Sequence, residues 1–345
     1  YQFLSQYLNI VTGVGYAQQN GNPRLRVDLD FTSLGLSQFF NVFNDKFPQY
    51  VQHYNAYAYG YFKPRSNLTV TVGGSYDYAF GSPALVAGSN TRNTFNGFNP
   101  KFGILYEPIE GTTIRLAAFK TVKRPFLNQT TIEPTQVSGF NQFYDDFSMS
   151  DGWRYGAAIN QKFTKTLFGG IEGSYRKVDI PFSSVSDITD TQTNTNRWHQ
   201  ALGYLNYAPH PWVALRVSYQ YDQYENSAPQ AGWLSASKLY TSRVPLSVGF
   251  FHPSGFIANI TQTYWNQLGT FEPLDQPLGT RVNGHDTFWL TDFMVGYRMP
   301  KRYGLIAVGV KNAFNQKFNY FNTDWNNPII QPDRMVFFKI TLALP

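Results

Sequence analysis

About fourteen stretches of this chain carry an apolar or aromatic side chain at every second residue, and the connections between them alternate short and long. The stretches lie near 8–19, 51–62, 68–80, 98–108, 112–122, 152–164, 167–180, 194–208, 212–226, 238–252, 255–270, 286–299, 303–315 and 334–344. Successive side chains of a strand point to opposite faces, so each stretch reads as a strand with one apolar and one polar face. Leu68, Val70, Val72 and Tyr76 share one side, while Thr69, Thr71, Ser75 and Asp77 share the other. Near the end, Val336, Phe338, Ile340 and Leu342 oppose Lys339 and Thr341. Most stretches reach the ~9–11 residues that a tilted strand needs to cross a bilayer. Leu34 to Phe47 alone reads as a short helix.

The short connections are KPRSN, EPIEGT, TKT, APHP, HPSG and PKRY; the long ones span 20–50, 81–97, 123–151, 181–193, 227–237, 271–285 and 316–333. Outer-membrane barrels have short periplasmic turns and long extracellular loops, and this alternation matches that asymmetry. Aromatics gather beside the short turns: Tyr61, Phe62, Tyr106, Phe163, Phe168 and Tyr207, then Trp212, Phe250, Phe251, Phe256, Tyr297 and Tyr303. Rings with an apolar body and a polar edge suit the headgroup level. Charged residues make up only 14% of the chain, against a usual ~25%. No window approaches the ~18–20 apolar residues of a membrane-spanning helix. With no cysteine, disulfide scaffolds and cysteine-ligated metals are excluded.

These features predict an all-β fold: an antiparallel transmembrane β-barrel in the bacterial outer membrane, with residues 1–345 as a single barrel domain of about 14 strands. An open sheet edge in hydrocarbon costs several kcal/mol for each unsatisfied backbone group. The strands therefore either close on themselves or are completed by further strands.

The stretches FNPKFGILYEP (98–108), GVKNAFNQKFNY (309–320) and RMVFFKITLAL (334–344) resemble the barrel of TonB-dependent receptors. Val310-Lys311-Asn312-Ala313-Phe314-Asn315 resembles the penultimate-strand pattern of that family. TIEPTQVSGFNQFYDDFSMSDGWRYGAAINQKF (131–163), with HPSGF and MPKRYG, more closely resembles a group in which a periplasmic tetratricopeptide-repeat region precedes a receptor-like barrel. The resemblance implies transport across the outer membrane, a periplasmic energising or repeat-domain partner, and a sequence that is the C-terminal part of a longer protein. Receptors of the family carry an N-terminal plug and a TonB-contacting segment that are not visible here. The chain also ends Ala343-Leu344-Pro345, where many outer-membrane proteins end on an aromatic.

Alternation places Arg115, Arg154, Lys162, Arg176, Arg216 and Arg298 on the lumen side, with Lys311 and Lys339. Asp77, Glu172, Asp222 and Asp292 oppose them. A basic interior favours anions, in keeping with a sequence pI of ≈ 9.2; alternatively these charges pair across strands and hold the wall together. Lys120, Lys123 and Arg124 form a basic rim on the extracellular side that suits lipopolysaccharide phosphates or simply solvates a loop base. The long 123–151 loop carries Phe126, Phe140, Phe143, Tyr144 and Phe147. It either folds inward as a constriction, gathers a ligand at the mouth, or packs on the rim.

The five histidines are scattered without metal-ligand spacing, and G-x-S-x-G, P-loop, EF-hand and H-E-x-x-H motifs are absent. The expectation is no enzyme, no cofactor, no metal and no nucleic-acid partner. Three functions remain open: a transport barrel, an export or assembly channel working with periplasmic repeat domains, and a structural anchor with a filled lumen.

Overall fold

The computed structural model describes residues 1–22, 24–30, 39–46, 49–82, 93–123, 133–144, 146, 150–183, 191–227, 236–271, 280–321 and 331–343. Its strands run β1 (Gln2–Leu4), β2 (Leu8–Gly21), β3 (Arg24–Asp30), β4 (Phe39–Lys46), β5 (Gln49–Arg65), β6 (Leu68–Ser82) and β7 (Asn93–Tyr106). Next come β8 (Thr112–Val122), β9 (Gln136–Val137), β10 (Phe140–Asn141), β11 (Asp151–Lys162), β12 (Leu167–Ser183) and β13 (Thr191–His210). The last are β14 (Val213–Asn226), β15 (Ala236–Phe251), β16 (Phe256–Phe271), β17 (Val282–Arg298), β18 (Gly304–Lys311) and β19 (Met335–Leu342).

Fifteen of these form one antiparallel sheet in the order β1-β2-β5-β6-β7-β8-β11-β12-β13-β14-β15-β16-β17-β18-β19. All fourteen stretches marked by alternation are strands of this sheet, and β1, three residues long, is the addition. Two small hairpins, β3–β4 and β9–β10, stand outside it. The helix expected over Leu34 to Phe47 is corrected in part: Phe39–Lys46 is strand β4, paired with β3. The run FFNVF is rich in residues that favour strands, and cross-strand pairing overrides the weak helical spacing. Residues 34–38 and 47 lie outside the described residues.

Register turns alternation into two continuous surfaces. Val70 lies beside Ile104, and Ile104 beside Leu116; Ile104 and Leu116 are 37% and 42% exposed. The same outer surface carries Phe102, Ile159, Val217 and Val295, all exposed. One residue further on, Thr71 meets Gly103 and Gly103 meets Ala117, all buried. A soluble monomer rarely exposes an apolar patch beyond a few hundred Å²; an apolar belt running across consecutive strands is the surface a bilayer covers.

Ten of the twelve aromatics beside the short turns are exposed. Tyr61 is a correction: it shares its face with Tyr57 and Tyr59 and packs against a buried cluster on the other side of the sheet. Phe250 is half-buried against Trp212 and Phe256.

Leu116 lies mid-strand on the outer surface. Leu116→Arg is expected to cost about 2–4 kcal/mol of unfolding free energy in lipid vesicles, whereas Leu116→Ala should cost much less. Urea titration of the refolded protein measures both, and a neutral Leu116→Arg would mean that water covers this face.

Candidate functional site

The inner surface is not bare. Among the described residues two segments from the connections lie on it, and the first is built on a tight turn. Ser138 and Gly139 have φ of 46° and 81°, the pair of positive values that a two-residue type I′ hairpin requires. The turn closes β9 on β10 and directs Val137 and Phe140 at the wall. Both are 1% exposed and pack with Tyr59, Ala117, Phe119 and Ala158. Room for them comes from missing side chains: a Cβ at Gly156 would overlap the Phe140 ring, and one at Gly103 would overlap Ser138.

A polar anchor holds the start of this segment. Glu133 accepts hydrogen bonds from Tyr59 Oη (3.0 Å) and Asn55 Nδ2 (3.3 Å). The Asn55 amide also donates to Asp77 (3.0 Å), which Asn99 contacts at 2.9 Å and His53 Nε2 at 2.8 Å. Gln142 Nε2 donates to Tyr59 Oη (3.2 Å) and to the Pro134 carbonyl (2.6 Å). These side chains are buried, so each carboxylate oxygen left without a donor would cost about 1–3 kcal/mol or more.

Beyond the anchor lies an arginine row. Arg154 stands directly opposite Arg176 across β11 and β12. Like charges there are destabilising. Two kinds of contact offset this. Arg176 is paired with Asp146, and Arg115 with Glu172 at 2.8 Å. Phe143 lies between Arg154 (4.9 Å) and Arg176 (4.6 Å), and Phe140 lies 5.1 Å from Arg115, so the negative ring faces meet the cations. Arg154 donates to the Asn141 carbonyl and to Ser174, both at 3.1 Å; it has no carboxylate partner among the described residues.

The second segment follows β18. Asn312 and Asn315 have φ of 45° and 54°, a region that Asn tolerates better than most residues. Asp292 accepts from the Asn312 N–H (2.9 Å), and the Asn312 side chain binds both the carbonyl and the N–H of Gln316. These bonds give the Val310–Asn315 pattern a structural purpose, because they turn the chain back over the inner face. Phe318 then stacks on Phe288 (4.4 Å), Tyr320 meets Trp265 edge-on (5.3 Å) and Phe321 stacks on Phe271 (4.1 Å). Gln267 grips the Phe321 backbone at both its N–H and its carbonyl.

The structure brings together Arg115, Arg154, Glu172, Arg176, Phe140 and Phe143 in one cluster. Tyr144 is half-buried in the same segment. Asp222 lies apart and accepts from Gln200 at 2.7 Å. Arg216, Lys162, Arg298, Lys311 and Lys339 occupy inner-parity positions, are exposed, and form no ion pair among the described residues. On the expected basic rim, Lys120 is paired with Asp151 and Lys123 is buried. Arg124, Phe126 and Phe147 lie outside the described residues.

Sequence reading missed Lys101, fully buried, its ammonium bound to the Lys120 carbonyl. It also missed Arg243, half-buried with its guanidinium 5.0 Å from the Trp265 ring. The alternation of Leu246, Val248 and Phe250, carried back along the strand, was enough to turn Arg243 inward. His53 and Glu133 carry no such signal, because their partners are remote in sequence.

Gly156→Leu is expected to overpack the Phe140 niche at a cost of about 1–3 kcal/mol and to unseat the first segment. Limited proteolysis should then cut within 133–144 while the strands stay protected; an unchanged cleavage pattern would show that the niche does not hold the segment.

No protein-family model and no curated protein matches the chain. Solved structures do match it. The FrpB iron transporter from Neisseria meningitidis (F3-3 variant) aligns with 98% of this chain and 53% of its own, at TM-score 0.67 and 12% identity. The copper transporter OprC aligns with 98% of this chain and 54% of its own, at TM-score 0.63 and 12% identity. The ferric citrate transporter FecA in its unliganded form aligns with 99% and 52%, at TM-score 0.60 and 16% identity. The chain thus spans about half the length of the solved structures it matches. At this identity the likeness is one of fold: the chain has the antiparallel outer-membrane β-barrel fold of these transporters.

Proposed function

We propose that this chain is barrel wall from a transporter that moves a solute across the bacterial outer membrane, with the two seated segments narrowing the passage. The observation that carries the reading is the contrast between a lipid-type outer belt and a polar inner face that is covered by pieces of the same chain. In this reading β1 and β19, the two edges of the sheet, are joined to each other or to further strands, since hydrocarbon tolerates no open edge. A periplasmic energising partner belongs to the proposal, as do a preceding repeat region and contact of the rim at Lys120 with lipopolysaccharide. The inner cations without carboxylate partners favour anionic solutes.

Two other readings each have an observation behind them. The likeness of 131–163 to the repeat-containing group favours an export or assembly channel, and two segments packed on the inner face favour an anchor with a filled lumen.

Planar-bilayer recording of the intact protein separates the anchor from the channels. A transport barrel conducts, prefers anions by reversal potential, and conducts more when Phe140 and Phe143 are both replaced by Ala. Absence of conductance in both the native and the double variant would leave the anchor as the function; cation preference would remove the anionic solute.

A further inference from the structure

Between the two seated segments the inner face holds a cleft of ≈ 480 Å³, within the ~300–1,000 Å³ usual for small-molecule sites. Arg243, Tyr320, Gln200, Gln220 and Asp222 line it, with Gln220 directly opposite Arg243 across β14 and β15. Four of these five side chains belong to the wall, and Tyr320 comes from the second seated segment.

Arg243 is the unusual member. A guanidinium is charged at any accessible pH and presents five donors, and half-buried donors are normally satisfied. Here the Arg243 Nε is buried without an acceptor, and no hydrogen bond or ion pair engages the group among the described residues. Its neighbours include the Trp265 ring, the Tyr320 phenol, Gln220 directly opposite on β14, and a second cation, Arg216, close enough for the like charges to interact. Arg216 has no carboxylate partner either among the described residues. In the neighbouring arginine row, by contrast, Asp146 and Glu172 compensate two of three cations. Burial pushes the Tyr320 phenol above its ordinary value, so it stays protonated and offers an O–H donor beside Arg243. Asp222 provides acceptors in the same cleft, oriented by Gln200 at 2.7 Å. The cleft thus holds anion-type donors beside acceptors suited to hydroxyls.

We infer that this cleft binds an acidic sugar, a ring bearing a carboxylate or a phosphate, with Arg243 and Tyr320 taking the anion and Asp222, Gln200 and Gln220 taking the hydroxyls. The inference deepens the transport reading by naming a solute class, and it rests on that reading for the route by which a sugar reaches the cleft. A carboxylate or phosphate, with two oxygens for paired N–H donors, matches the Arg fork, and hydroxyls along a ring match the amides and carboxylate.

Calorimetric titration of the intact, detergent-purified protein with digalacturonate, glucose 6-phosphate and neutral maltose tests it. At least one acidic probe should bind, at least about ten-fold more tightly than maltose; which one binds distinguishes carboxylate from phosphate. Arg243→Gln should weaken that binding by about ten-fold or more, as expected for loss of a charge-assisted hydrogen bond. Tyr320→Phe, which keeps the ring against Trp265, should weaken it by a smaller factor and serves if Arg243→Gln does not fold. Maltose binding as tightly as the acids, no binding of either acid, or indifference to both variants overturns the inference. Conductance of the same preparation keeps the two ideas apart: a protein that conducts without binding acidic sugars fails this inference alone, and one that does neither fails both.

Discussion

Backbone hydrogen bonding without water is the constraint from which the rest of this molecule follows. In hydrocarbon a peptide group has no solvent partner, so each strand needs a neighbour on both sides. The antiparallel ladder supplies one, and its pleat then sends alternate side chains to opposite faces. Once Ile104, Leu116 and Val217 face outward, Thr71, Asp77 and Arg115 have only the interior to face. The polar interior is thus a by-product of the apolar exterior, and the chain must still satisfy what it has placed there.

It does so differently in two regions. Across β8, β11 and β12 the arginines are covered by a loop that brings Asp146 and two phenylalanine rings, so charge is neutralised and water displaced together. Across β5–β7 a neutral-amide network spreads the charge of Asp77 and Glu133 over Asn55, Asn99, Tyr59 and Gln142. Across β14 and β15 no comparable compensation is present among the described residues: Arg216 and Arg243 have no carboxylate partner, and the second segment brings Arg243 only the Tyr320 phenol. The wall is therefore electrostatically uneven, closed where the first segment sits and receptive beside the second.

How much of this was legible beforehand follows the range of the interactions involved. Strands were legible because alternation is a local property: β8 was bounded correctly at 112–122, and the inner placement of Arg115, Arg154, Glu172 and Arg176 followed from parity. Tyr61 was assigned to the lipid girdle because proximity to a turn was weighed above parity, and parity was the better guide. The β3–β4 hairpin was hidden because its Phe-rich strand also fits a helical spacing over a short window. Glu133 reaches Tyr59 across 74 residues of sequence, and nothing near either residue announces the other. Even so, the turn-forming Ser138-Gly139 pair and the glycine at 156 are local signals that, read together, point to a hairpin meeting a recess.

The way the first segment is seated has an evolutionary corollary. It touches the wall through a glycine recess, a few ring faces and side-chain bonds, and it contributes no strand to the large sheet. Exchanging it for another loop would leave every rung of the ladder in place. Relatives built on the same staves can thus diverge in what they admit by rewriting a lining of a dozen residues, at the tempo of a surface loop and with the durability of the cask unchanged.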